Sequence, residues 1–149
     1  IKAAFIVNFA KFIDWPADKA LSKQSKIDVC VLGDNALINY SQLLKQASSA
    51  KLDISLVREN NLANVSSHCH IVFIGALEDS KYKDALSILK NKPVLTVGDA
   101  PDFTERGGMM GLLMDYGKVK LLVNKKAIEK SGLYVDAQLL EIAFKVISD

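Results

Sequence analysis

The sequence predicts an α/β fold: a single domain with a mixed sheet, a parallel core, helices on both faces and a C-terminal antiparallel hairpin. Three observations carry this. Four short apolar runs rich in β-branched residues, "IDVCVLGD" (27–34), "LDISLV" (52–57), "CHIVFIGA" (69–76) and "PVLTVGD" (93–99), read as strands. Helical or polar segments separate them in the order β-α-β-β-α-β, as in a sheet whose strands are joined by crossovers. Two further runs, "MGLLMDY" and "KVKLLVN", meet at Gly117 and read as an antiparallel hairpin over 110–123. With 149 residues and no internal repeat or linker, the chain is one domain over 1–149.

The elements follow in order. In "IKAAFIVNFAKFIDWP", Asn8, Lys11 and Asp14 fall on one narrow side of a helical wheel and Phe5, Phe9 and Phe12 on the other. A helix over 1–13 is therefore expected to cover one sheet face. Pro16 ends it, because the residue before a proline avoids the helical region. Trp15 sits at its end, either as a core anchor or facing a partner. The strand from Ile27 is expected at the centre of the sheet. "NALINYSQLLKQA" then places Leu37, Tyr40, Leu43, Leu44 and Ala47 at helical spacing. "ENNLANVSSH" reads as a polar connection that can hold one helical turn, and "SKYKDALSILKN" as a helix.

Gly107-Gly108 lead into a strand. A phosphate-binding loop needs backbone N–H groups at a helix start, and no Gly-Lys-Ser/Thr follows, so these glycines are expected to supply positive φ instead. Beyond the hairpin come a short helix capped by Gly132, a brief extended piece and a last helix. That helix is N-capped by Asp136, with Leu139, Leu140, Ala143, Phe144 and Ile147 as its apolar face.

Half of the residues are hydrophobic and 24% are charged, which suits a packed core rather than disorder. Nineteen Lys and Arg against 17 Asp and Glu leave a net charge of +2, too balanced to point to nucleic acid. His68, Cys69, His70 and Cys30 are zinc-type side chains, but on a strand the two histidines point away from Cys69, so no metal site is expected. The Gly-Asp strand ends at Asp34 and Asp99 suit a receiver domain, yet "FIGA" lacks the acceptor aspartate. There is no Gly-x-Ser-x-Gly elbow, and both cysteines sit in apolar strands. No catalytic set and no cofactor are expected. Lys118 and Lys120 share a strand face and read as a solvated edge. In open α/β sheets ligands bind beyond the carboxyl ends of strands, which makes Gly33, Asp34, Gly98 and Asp99 candidates for a ligand cleft.

"KAAFIVNFAKFIDWP" and "PVLTVGDAPDFTERGGMMGLLMDYGKVKLLVNKKAIEKSGLYVDAQLLEIA", with "DVCVLGD" and "HCHIVFIG" between them in order, resemble the YfiR family over nearly the whole chain. The resemblance implies a periplasmic, non-enzymatic protein. It would inhibit a membrane-bound diguanylate cyclase by binding the cyclase's periplasmic domain, lowering cyclic-di-GMP and biofilm formation. An outer-membrane lipoprotein would sequester it and release the cyclase. The start at Ile1 rather than Met then fits signal-peptide removal. The alternative function is a periplasmic small-molecule sensor using the strand-end cleft.

The resemblance also points to a disulfide between Cys30 and Cys69. In a doubly wound order the first and third strands are neighbours, which leaves register as the open question. Some relatives carry a second cysteine pair near the Gly-Gly segment, where this chain has Met109, Met110 and Met114. Trp15, Phe103 and Arg106 are the candidate partner-binding residues, since aromatic residues and arginine dominate hot spots and segments outside regular structure face solvent; burial of Trp15 and Phe103 in the core is the equal alternative. The apolar N-terminal helix makes a homodimer plausible.

Overall fold

The computed structural model describes residues 2–15, 26–32, 53–75 and 79–148. Its elements are α1 (Lys2–Phe12), β1 (Ile13–Asp14), β2 (Lys26–Leu32), β3 (Asp53–Arg58), α2 (Leu62–His68), β4 (Ile71–Ile74), α3 (Asp79–Leu89) and β5 (Leu95–Gly98). There follow β6 (Met110–Asp115), β7 (Lys118–Asn124), α4 (Lys125–Lys130), β8 (Tyr134–Val135), α5 (Ala137–Glu141) and β9 (Lys145–Ile147). The expected helix over 35–47 and the Pro16 stop lie outside the described residues.

Side-chain alternation sorts the strands into two layers. Register aligns Val29 with Ile71 and Leu95, and Val31 with Phe73 and Val97. These six form one core with Ile6, Phe9, Ile13 and Trp15 at the N-terminus, Ile128 of α4 and Leu139 of α5. The intervening positions, Cys30, Leu32, Val72 and Ile74, pack with Val65 of α2, with Tyr82, Ala85 and Leu89 of α3, and with Phe103. Helices thus cover both faces, with α1 on one of them as expected. Phe5 and Phe12 of α1 are partly buried against the same core.

Among the described residues the main sheet has seven strands in the order β3-β2-β4-β5-β6-β7-β9, and β1 pairs with β8 in a separate two-stranded sheet. Within the seven, only β6 and β7 pair antiparallel. This hairpin turns at Tyr116 (φ 49°) and Gly117 (φ 76°), the left-handed pair that matches strand twist in a two-residue loop.

Three expectations are corrected. The strand from Ile27 is not central: among the described strands β2 lies one in from an edge and β5 occupies the middle, because the C-terminal third adds β6, β7 and β9 on one side. The polar connection after β3 is a true helix, α2, started by Asn61, whose side chain accepts from the Ala63 N–H at 3.0 Å. The last helix does not run to Ile147. It stops at Glu141, and 145–147 become β9, with Leu122 opposite Lys145. Without β9 the outer side of β7 would be an unpaired ladder, and a β-branched pair at 146–147 satisfies it. The Phe144 N–H donates to the Leu121 carbonyl at 2.7 Å, which leaves the Phe144 side chain 62% exposed instead of buried.

Candidate functional site

Phe103 decides what happens at the carboxyl end of β5. A Cβ added to Gly98 would lie 2.5 Å from the Phe103 ring, and one added to Gly108 would overlap the same ring. The ring therefore occupies the space that both glycines vacate, with the Tyr82 ring edge-on at 6.0 Å and 87°. The expected cleft at Gly98 and Asp99 is filled at Gly98 by this plug, while Gly33 and Asp34 lie outside the described residues. The Gly-Gly pair divides its work: Gly107 takes φ 104°, as expected, and Gly108 makes room.

Of the three expected partner-binding residues, the structure buries two. Phe103 is 0% exposed and Trp15 8%. Trp15 Nε1 donates to the His70 carbonyl at 3.0 Å, and the two rings meet edge to face. Of the two alternatives open for each, the surface one is corrected and the core one holds: a large aromatic between packed layers gains more from burial than a loop position suggests. Arg106 is partly exposed. Its guanidinium lies 4.5 Å over the Tyr82 ring and 3.9 Å from Asp102.

Cys30 and Cys69 are joined by a disulfide with Cα atoms 6.0 Å apart. The third strand begins at Ile71, not at Cys69, and Cys30 is opposite Val72. Cys69 follows α2 outside the ladder, where its side chain can turn onto β2. His68 ends α2 on the surface, and His70 Nδ1 accepts from the Asp28 N–H at 3.1 Å. Among the described residues no three metal-binding side chains gather.

A pocket of about 380 Å³ lies between the C-terminal half of α3, β5, the turn before β6 and α4. Lys83, Lys90, Arg106, Lys126 and Lys130 line it, and among the described residues no carboxylate does. Thr96 and Asn124, also in its wall, hold the surrounding chain: Thr96 Oγ1 accepts from the Met109 N–H at 2.9 Å, Asn124 Nδ2 donates to the Thr104 carbonyl at 3.1 Å, and Asn124 Oδ1 accepts from the Ala127 N–H at 3.1 Å. Sequence reading missed this site because its cations come from three segments that only the fold brings together. The lysine-rich run 125–130 was the one local signal.

Tyr82 is buried, and its hydroxyl has no hydrogen-bond partner among the described residues. Burial pushes its pKa up to about 12; Arg106 opposes this, and Asp102 and Asp99 add to it. An unfolded tyrosine titrates near 10, so the folded state holds its proton longer. The resulting stability is complete below about pH 10 and lost as pH rises toward 12. Tyr82→Phe is expected to flatten that alkaline loss, and to leave stability at pH 7 unchanged or raised by about 1 kcal/mol, because an unpaired buried hydroxyl is removed. Urea melts of both proteins at pH 7 and pH 11 check this; a variant that loses stability at pH 7 and keeps the alkaline slope contradicts it.

The model of a family described as DUF4154, YfiR/HmsC-like, matches residues 1–144. Among solved structures, an ABC domain in complex with L-Trp from Streptococcus pneumonia is similar with TM-score 0.60 and 12% identity, covering 81% of this chain and 55% of that one. A conserved domain protein from Vibrio cholerae O1 biovar eltor is similar with TM-score 0.54 and 16% identity, covering 80% and 54%. The chain thus spans about half the length of these structures, and the likeness shows the α/β fold alone. No curated protein matches the chain.

Proposed function

The chain belongs to the YfiR/HmsC-like family, and from that premise we propose that it is a periplasmic regulatory binding protein that inhibits an inner-membrane diguanylate cyclase. The family match over residues 1–144 carries this reading. The Cys30–Cys69 bridge agrees with it, since disulfides persist in oxidising compartments such as the periplasm. In this reading the protein acts by binding the cyclase's periplasmic domain, and an outer-membrane lipoprotein competes for it.

With Trp15 and Phe103 in the core, the contact surface has to lie elsewhere. Ile142, Phe144 and Val146 are exposed beside edge strand β9, and Lys120 Nζ lies 4.2 Å over the Phe144 ring. An apolar group next to a strand edge that no other described strand pairs supplies both the aromatic anchor and the backbone groups that a docking strand uses.

Deleting the gene is expected to raise cyclic-di-GMP and surface attachment. Phe144→Ala in the chromosomal copy is expected to do the same. In purified protein it should weaken binding of the cyclase's periplasmic domain about 30-fold, which corresponds to about 2 kcal/mol at a hot spot, without moving the melting temperature. Unchanged cyclic-di-GMP in the deletion strain, with the cyclase expressed, refutes the inhibitor reading. Normal binding by Phe144→Ala refutes the β9 surface alone.

A further inference from the structure

We propose that the pocket between α3 and α4 is a binding site for a small organic polyanion that carries an apolar body. The charges point there first. The whole chain is nearly balanced, with 19 Lys and Arg against 17 Asp and Glu, yet among the described residues this concavity has five cations in its wall and no carboxylate. Two carboxylates close in sequence to those cations do not line the pocket. Asp102 meets Arg106 at 3.9 Å and Glu129 meets Lys125 at 3.6 Å. Cations of one sign gathered in a concave, low-dielectric wall repel each other and focus their field into the cavity, so an anion gains affinity there that a flat surface would not give.

A second observation is independent of charge. Thr96 is 3% exposed and lines the pocket. Its Oγ1 accepts from Met109, and its own hydroxyl hydrogen has no acceptor among the described residues. A buried donor without an acceptor costs free energy, and an anionic oxygen in the pocket would supply one.

Shape and lining set the ligand class. About 380 Å³ falls in the range of small-molecule sites. Leu86, Met109 and Ala127 give part of the wall apolar character, which a bare inorganic ion would leave uncovered. Arg106 is pre-positioned, held over the Tyr82 ring, so its planar fork loses little freedom on engaging phosphate or carboxylate oxygens. Phosphate and carboxylate share this chemistry, and the site takes its place as the ligand locus of a sensor, away from the plugged strand end.

Titration calorimetry on the full chain tests this independently of any cyclase. The probes are phenyl phosphate and phthalate as anions with an apolar body, inorganic phosphate as the anion alone, and benzyl alcohol as the body alone. One or both of the first pair should bind at least 10-fold more tightly than either of the others, and the affinity should fall as salt rises. Preference between phenyl phosphate and phthalate assigns the anionic group. Lys126→Gln with Lys130→Gln should weaken binding at least 10-fold and leave the melting temperature in place. Lys118→Gln with Lys145→Gln, on exposed positions outside the pocket, should leave it unchanged. No binding of any probe at millimolar concentration, or equal losses in both double variants, overturns the proposal. Neither result bears on the cyclase reading, which has its own test.

Discussion

Phe103→Ala is expected to destabilise the protein by about 3–5 kcal/mol, the range for emptying a fully buried phenylalanine site. In a domain of this size that corresponds to a fall in melting temperature on the order of 10 °C. The ring is 0% exposed, lies against Tyr82, and fills the gap left by the missing side chains of Gly98 and Gly108. Little around it can collapse, because two of its neighbours are backbone. The same geometry makes an opposite pair of expectations for Gly108→Ala. In the wild-type protein the added methyl meets the Phe103 ring and overpacking costs about 1–3 kcal/mol. In the Phe103→Ala background the methyl enters the cavity and is neutral or stabilising. Urea melts of the four proteins close a double-mutant cycle, in which contacting residues couple and distant ones add. Simple additivity would show that Phe103 and Gly108 do not share this space.

Removing the disulfide is the second large effect. The two cysteines are 39 residues apart, and closing a loop of that length restricts the unfolded chain by about 4 kcal/mol in the chain-entropy model. Engineered and natural bridges commonly deliver less, so a loss of about 2–4 kcal/mol is expected for Cys30→Ala with Cys69→Ala. Alanine is the suitable replacement, because both positions are buried and a serine hydroxyl would need a partner there. Wild-type protein melted in reductant should fall to nearly the same stability as the double variant. Denatured, non-reduced wild type should titrate no free thiol, since both cysteines are bonded. Oxidised and reduced wild type with identical melts would remove the bridge from the stability of this fold.

Local features were legible because their causes lie within a few residues. The apolar β-branched runs of β2, β4 and β5, the hairpin closed at Tyr116-Gly117, the Asp136 cap accepting from the Gln138 N–H at 2.8 Å, and positive φ at Gly107 and Gly132 each follow from neighbours along the chain. Site residues were harder. Arg106 was singled out as a surface hot spot and stands in the pocket wall, but the lysines around it were not, and sequence left Phe103 open between surface and core.

Sequence by itself determined the fold class, the apolar strand runs and the turn chemistry of this protein. Tertiary structure alone decided that Phe103 plugs the strand end, that residues 145–147 leave the helical pattern to pair with β7, and that lysines from α3 and α4 meet Arg106 around one cavity. The reason is physical: periodicity and φ preferences are set by adjacent residues. Whether an aromatic ring finds a vacant glycine, a strand finds an open edge, or like charges converge depends on groups from other elements. Their arrival no short stretch of sequence encodes.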